Sequence, residues 1–437
     1  MPTGTPIDRR EFLKRTTSLA AGAVALPYVV PDSALGKAGS PAPSDRITMG
    51  FIGVGGRGRS LLNNFLHLSD AQVVAVCDVK RANRHGAQKT VDGRYRTTGC
   101  AAYTDFRKLV ARDDIDAAVV ATTDHWHVLP ALAAVRSGKD VYVEKPLGMS
   151  VEQGQVLREA VNRYGRVFQF GTQERSSRHT RFACEMVRSG RVGRIKTITV
   201  ASRYSRASGN YPPMPVPESL DYEMWLGAAP WAPYTANRVV NRYWFHISDY
   251  ALGFMAGCGV HTIDMATWGN GTDLTGPIEV EGTGEFPSDG LCNCATGWDV
   301  NLTWANGVTM RFTDGKRNKL GVTFHGTDGW VFVKETHLGG RVAAYPKDLL
   351  KTPIGAGEVH LPVSDHHQKN FLDCIKTRSR TVAPIESTVR TDTLCQLTDI
   401  AMRLGRKLRW NPDAERFVND DDANRMLSRP MRDPWHL

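Results

Sequence analysis

Hydrophobic positions along this chain change their period once, near residue 194. Before that point, short apolar runs alternate with stretches at helical spacing. Residues 47–52 (ITMGFI) read as a buried strand, and Leu61, Leu62, Phe65 and Leu66 then recur as on one face of a helix. Residues 72–77 predict a second strand. Residues 115–122 (IDAAVVAT) form a continuous apolar run, as in a strand covered on both faces. A helix over 128–135, a strand over 140–143, a helix over 151–164 and a strand over 167–170 continue the alternation. Such alternation predicts a doubly wound parallel sheet. Beyond residue 194 the strand-like segments cluster without helices between them: 195–204, 278–286, 296–304, 308–312, 322–325 and 330–333. They predict a second α/β domain with an open, mainly antiparallel sheet. Residues 366–377 and 391–404 read as helices that return to pack on one of the two domains.

The first strand runs into Gly53-Val54-Gly55-Gly56-Arg57-Gly58, which matches G-x-G-x-x-G. In that fingerprint Gly53 makes the tight turn, Gly55 lets the backbone approach a pyrophosphate, and Gly58 lets helix and strand pack closely. Gly56 and Arg57 lie between them, where the helix N-terminus holds phosphate. With 41 glycines in the chain, a bare match is weak evidence, and a Gly-rich turn is the alternative. The second strand, however, ends in Asp78, about 20 residues past the glycines, where a ribose-binding carboxylate belongs. Asp78 favours NAD, since a carboxylate repels a 2′-phosphate. Lys80 and Arg81 follow closely and leave NADP open. The expected division is residues 1–44 as leader and linker, 45–171 as an NAD(P)-binding Rossmann domain, 172–410 as a substrate domain, and 411–437 as a polar tail without an assigned place.

Composition narrows the classes. The chain has 437 residues, 41% hydrophobic and 23% charged, and a net charge of +10. Its arginines are dispersed and no basic stretch is interleaved with aromatics, so nucleic acid is not expected as a partner. The eight cysteines form no C-x-x-C pair, and Asp365-His366-His367 lacks a spaced partner, so no metal site is expected. At the N-terminus, Arg9-Arg10-Glu11-Phe12-Leu13-Lys14 precedes an apolar stretch over 19–30 that is short and rich in Ala and Gly. This reads as a twin-arginine export signal, cut between Ala34 and Ala42, with the twin-arginine machinery as a partner and the periplasm as destination. An uncut leader would tether the protein to the membrane.

Gly53, Asp78, Thr122 and Lys145 all fall at predicted strand C-termini and should converge on one crevice. Glu144-Lys145-Pro146 puts a lysine where it could donate to a substrate oxygen, with Pro146 a candidate cis peptide. A surface lysine is the plainer alternative. Thr122-Thr123-Asp124-His125-Trp126-His127 could line the cofactor pocket through Thr122 and His127, or simply enter a helix with Asp124 as its cap. His261 and Asp264 are three apart, on one face of a helix start; His261 could take a hydroxyl proton, or pack as a core histidine. The stretch 244–250 holds His246, Asp249 and Tyr250 among aromatics that suit a sugar ring or a packed core.

The glycine loop, Glu144-Lys145-Pro146 and Gly259-Val260-His261-Thr262-Ile263-Asp264 together resemble the Gfo/Idh/MocA oxidoreductases, a family that includes glucose-fructose oxidoreductase and inositol dehydrogenase. The resemblance spans roughly residues 46–410. It implies bound NAD or NADP, a small carbohydrate substrate on the open sheet face, and a homo-oligomer paired through that sheet. It maps the family's catalytic lysine onto Lys145 and its histidine onto His261. Glu144 and Lys145 then border the cofactor, and Lys145, His246, His261 and Tyr250 the substrate. One departure stands out: many members carry an aspartate four residues before the histidine, and here that position is Gly257. Asp249 or His246 is a candidate to take over.

NAD is scarce outside the cytoplasm, so an export signal beside a dinucleotide fingerprint points to a tightly held cofactor in a redox-neutral cycle. Two versions are transhydrogenation between sugars, and oxidation, elimination, hydration and re-reduction at a glycoside, which is an NAD-dependent glycosidase. An external acceptor that reoxidises bound NADH is a third. The exported branch of the family neighbours such glycosidases. A catalytically inactive sugar-binding module on the same fold is the reading of another class.

Overall fold

The computed structural model describes residue 42 and residues 45–437; the Arg9-Arg10 motif and the apolar stretch after it lie outside the described residues. The first sheet has six strands: β1 (Ile47–Ile52), β2 (Ala71–Cys77), β3 (Ala101–Tyr103), β4 (Ala117–Val120), β5 (Asp140–Val143) and β6 (Phe168–Phe170). Their order is β3-β2-β1-β4-β5-β6 and every pairing is parallel. Alternate residues of the central strands enter two separate cores. Met49, Phe51, Ala117 and Val119 pack with Leu61, Leu62 and Phe65 of the Gly56–Leu66 helix. Ile52, Ala118 and Val120 pack with Leu132, Val135 and Leu157 of the Val128–Arg136 and Val151–Arg163 helices. Cover on both faces explains why these strands read as unbroken apolar runs. The three-residue edge strand β3 carries only half-buried side chains and gave no such signal.

The second sheet has nine strands. They are β7 (Ile195–Ser202), β8 (Glu279–Glu285), β9 (Gly297–Thr303), β10 (Thr309–Asp314), β11 (Gly321–Gly326), β12 (Trp330–Lys334), β13 (Arg341–Tyr345), β14 (Leu408–Asn411) and β15 (Arg416–Phe417), in the order β13-β12-β11-β7-β10-β9-β8-β14-β15. Only β7 and β10 run parallel; the other pairs are antiparallel. Trp298, Val300 and Leu302 of β9 are buried, while Asp299 and Asn301 between them are half-buried, so one face packs and the other stays polar. Arg311 and Asp299 pair across β10 and β9 at 2.6 Å on that polar face.

Three long-range returns knit residues 47–437 into one unit. The His367–Thr377 helix lays Phe371 edge-on against Phe65 and Tyr142 of the first sheet's core. The Ile385–Leu404 helix starts earlier than expected, directly after Pro384. The tail expected to stand apart over 411–437 is instead integral. β14 pairs with β8, Glu415 accepts from both Arg158 guanidinium nitrogens at 2.7 Å, and Trp435 packs 4.7 Å from the Trp126 ring. Its elements are two to five residues long, too short for a periodic signal. The described cysteines are all free thiols, seven of them buried. None of the described helices is long and apolar enough to cross a membrane.

Arg175, in the turn after β6, ties this first half to the Gly259–Asn270 helix. Its guanidinium donates to both Asp264 oxygens (2.7–3.0 Å) and to Asp273 at 3.2 Å, and lies over the Trp268 ring at 5.3 Å. Arg175 and Asp264 are almost wholly buried. Removing one partner strands the other charge out of water. Asp264→Ala is expected to cost about 3–5 kcal/mol of stability, read as a lowered denaturation midpoint.

Candidate active site

A cleft of about 1050 Å³ opens where the first sheet's strands end. Gly53, Gly55, Gly56, Arg57, Asp78, Thr122, His127, Glu144 and Lys145 all line it, as do Asp124, Met224, Trp225, Val239, Trp244 and Phe245. Gly53 has φ +82°, and a Cβ on Gly58 would lie 1.9 Å from the Gly53 carbonyl oxygen. Gly58 therefore lets helix and turn touch and does not itself line the cleft. At Gly55 a Cβ would meet only Asn83 Nδ2 at 3.6 Å, so the floor is left bare. The Gly56–Leu66 helix has no capping side chain and no acid in its first turn, which leaves its first amides for an anion. These residues fit the diphosphate of a dinucleotide.

Asp78 braces the loop. Its carboxylate accepts from Val54 N (3.0 Å), Lys80 N (2.8 Å) and Asn83 Nδ2 (3.2 Å), and burial holds its pKa above the usual range despite those bonds. The two cations that left NADP open are committed elsewhere: Lys80 Nζ donates to Val239 O at 2.5 Å, and Arg81 points to Glu218 O at 3.4 Å. The same end is strapped by residues 219–221, through Arg81 N to Ser219 O (2.9 Å) and Asp221 N to Val79 O (3.2 Å).

At the other end, Lys145 follows β5, and the Lys145-Pro146 peptide is cis. Glu144 accepts from Arg57 Nε at 2.8 Å. Burial pushes the Glu144 carboxyl up, but Arg57 and Lys145 outweigh it and hold it below the usual range. His127 is buried and donates from Nδ1 to Pro146 O at 2.6 Å; burial brings its pKa down to about 4. It thus positions the lysine turn as a neutral ring. Lys145 Nζ donates to Gly257 O at 3.0 Å, so the backbone at the position that lacks the aspartate receives the lysine. His261 is 8% exposed with no partner at Nδ1, and its pKa is driven well down by burial and then by the Lys145 charge. The structure thus brings Lys145 and His261 together.

Four expected site residues stand apart from this pair. Both Asp264 oxygens are taken by Arg175, which leaves it no proton role. Tyr250 is fully buried, its hydroxyl accepting from Arg238 (3.2 Å) and its ring packed 4.8 Å from Trp225, so it belongs to an aromatic core. His246 is buried edge-on against Phe254, and its carbonyl accepts from Asn293 N and Cys294 N. Asp249 acts on Tyr250 and Arg429. The dense aromatic stretch over 244–250 is mainly core; only Trp244 and Phe245 reach the cleft.

Other carboxyls were missed. Asp124 does not cap a helix; it is 1% exposed, lines the cleft, and has no partner at Oδ2. Burial pushes its pKa well up, against the pull of Lys145. Glu335, after β12, is also buried near Lys145. Asp124 lies in the 122–127 stretch but read there only as a cap; Glu335 had no motif around it and is distant in sequence from the lysine. Among the described residues no group of His, Cys, Asp and Glu is arranged to hold a metal.

A parallel 3-2-1-4-5-6 sheet, a bare glycine cradle and a lysine–histidine pair define a dinucleotide-dependent oxidoreductase. Residues 47–172 match the description "Oxidoreductase family, NAD-binding Rossmann fold", and residues 202–437 match "Oxidoreductase family, C-terminal alpha/beta domain", both of the Gfo/Idh/MocA family. The chain belongs to the Gfo/Idh/MocA oxidoreductases and carries that family's NAD-binding Rossmann domain. It is 32% identical over 204 residues to a glycosyl hydrolase family 109 protein of Shewanella sp. strain MR-4, covering 43% of this chain and 44% of the relative. An alpha-N-acetylgalactosaminidase of Shewanella oneidensis is 31% identical over the same shares. The match spans less than half the length of these relatives. The fold is shared with an aldose-aldose oxidoreductase of Caulobacter crescentus (TM-score 0.62, 17% identity, 83% of this chain and 99% of that one). It is shared too with the WlbA dehydrogenase of Bordetella pertussis, solved with NADH and UDP-GlcNAcA (TM-score 0.60, 16% identity, 84% and 99%).

The second and third glycines of the fingerprint, Gly55 and Gly58, should separate on substitution. Gly58→Ala drives a methyl into backbone and is expected to lower stability by about 1–3 kcal/mol. Gly55→Val is expected to keep the wild-type unfolding midpoint but bind NAD at least about tenfold more weakly, by titration calorimetry.

Proposed function

We propose that this enzyme oxidises a hydroxyl of a sugar or sugar derivative by hydride transfer, using an NAD that stays bound between turnovers. The observation that carries the reading is the junction of the glycine cradle with Lys145, which crosses to Gly257 beside His261. Bound NAD supplies the hydride acceptor. Lys145 offers a positive donor to the substrate oxygen, and His261, held neutral by burial, is able to take the hydroxyl proton. Trp225, Trp244 and Phe245 contribute flat apolar surface. The strap over 219–221 supports slow cofactor release.

A second reading is favoured by the relatives named as family 109 glycosyl hydrolases: the hydride returns to the same sugar after the aglycone has left, which makes the enzyme an NAD-dependent glycosidase. Lys145 and His261 serve both versions. We also propose export through the twin-arginine pathway to the periplasm, on the strength of Arg9-Arg10-Glu11-Phe12-Leu13-Lys14.

Two experiments test these proposals. Protein purified without added nucleotide is denatured and the released cofactor identified. The native protein is then given 4-nitrophenyl α- and β-glycosides, including the N-acetyl-α-galactosaminide, and free sugars. Bound NAD with 4-nitrophenol release supports the glycosidase; bound NAD with only a change at the nicotinamide band supports the dehydrogenase or transhydrogenase; no nucleotide sinks both. Lys145→Ala is expected to lower kcat by about 10²–10⁴-fold. For export, Arg9→Lys with Arg10→Lys should retain the protein in the cytoplasmic fraction; unchanged periplasmic recovery removes that proposal.

A further inference from the structure

Gly257 leaves the lysine–histidine pair without the carboxyl that many family members place on the same helix. A carboxyl does approach from the second sheet. β12 ends at Lys334, and the chain turns through Glu335 into the short Thr336–Leu338 helical turn. The Glu335 side chain is 2% exposed and its Oε1 has no hydrogen-bond partner. That oxygen lies 3.8 Å from His337 Nδ1. The His337 ring stands 5.9 Å from the His261 ring, and its own side chain is half exposed. A second buried acid, Glu174, is committed to holding this turn: it accepts from Thr336 N and Oγ1 (both 2.9 Å) and from Thr180 Oγ1 (3.0 Å). An unpartnered buried carboxyl oxygen is costly, and structures rarely keep one without use.

We propose that Glu335 and His337 form a proton relay that links the Lys145–His261 end of the cleft to solvent and replaces the carboxyl missing at Gly257. The inference rests on the reading of this site as one that oxidises a sugar hydroxyl. Seen from Glu335, the facing charges are Glu174, Arg203, Lys145 and Lys334. Seen from His337 they are Arg203, Lys145 and Arg57. Burial first, and Glu174 next, push the Glu335 carboxyl up to about 8, against the three cations. Burial and then the cations push His337 down. At neutral pH an uncharged acid therefore stands beside an uncharged base. The hydroxyl proton passes to His261 as the hydride leaves the carbon, and crosses to His337 directly or through one water. His337, which is half exposed, then passes that proton to water while the Glu335 carboxyl beside it steadies its charge, so one proton leaves the site for each hydroxyl oxidised. The reverse path returns it when a sugar is reduced.

The test uses full-length protein carrying its own NAD and the panel compound that the unaltered enzyme turns over fastest. Because the ionised carboxyl of Glu335 favours proton uptake by His337, kcat of the unaltered enzyme should rise as pH rises through about 8. Glu335→Gln is expected to lower kcat about 10²-fold and to abolish that rise, with KM and bound NAD unchanged. Glu335→Asp should restore part of the rate. His337→Ala should lose a similar factor and regain rate when imidazole is added, since its position is open to solvent. A Glu335→Gln enzyme with unaltered rate and pH profile overturns the relay, as does a His337→Ala enzyme that is slow and indifferent to imidazole. Should Glu335→Gln fail to fold, the imidazole experiment decides alone. If the unaltered protein holds NAD but turns over nothing in the panel, the sugar-oxidation reading itself fails and takes the relay with it.

Discussion

The structure depends on one close approach: the Gly58 backbone lies so near the Gly53 carbonyl oxygen that a single methyl would stand 1.9 Å from it. That contact seats the Gly56–Leu66 helix directly over the end of β1. Its first amides, uncapped by any side chain, then face the cleft. Asp78 secures the arrangement from the neighbouring strand by accepting from Val54 N and from the start of the next helix. A larger residue in the turn would lift the helix, widen the cradle and cost both packing and anion binding. Turn, cradle and acid thus form one mechanical unit.

The reacting end is organised differently, by hydrogen bonds to main-chain carbonyls. Lys145 donates to Gly257 O and His127 to Pro146 O, so two side chains are positioned by backbone rather than by carboxylates. A backbone acceptor orients an ammonium group without adding a full negative charge. The lysine charge therefore acts on its surroundings, lowering His261 and His337 and drawing on Asp124 and Glu335. Glycine at 257 is part of that design, since no side chain there competes for the ammonium group. The acids nearby are buried and unpaired at one oxygen each, a state suited to carrying protons rather than fixed charge.

The two halves of the chain are joined by buried polar bonds as well as by apolar packing. Arg175 and Asp264 connect the end of the parallel sheet to the helix that carries His261. The 219–221 strap returns over the Asp78 end of the cleft, and the tail crosses back to Arg158 and Trp126. Lys145 and His261 therefore keep their relation through a rigid frame. The same frame makes Asp264 a structural partner although it lies only one turn from a proton-transfer candidate.

Local grammar in the sequence determined the sheet type of each half, the glycine cradle, Asp78, and the placing of Lys145 at a strand end. Each of these is specified within a window of about 30 residues, by backbone sterics and by burial periodicity. Tertiary structure alone decided which polar residues share the cleft. His261 and Asp264 sit on one helix, yet one meets Lys145 and the other meets Arg175, because those partners follow two different strands, β5 and β6. The aromatic stretch over 244–250 read equally as a sugar platform or a packed core and is mostly core, since a ring suited to stacking on a sugar is equally suited to packing. Glu335 carried no sequence signal at all. Only the meeting of β12's end with the lysine turn deprives its carboxyl of water and gives it a function to perform.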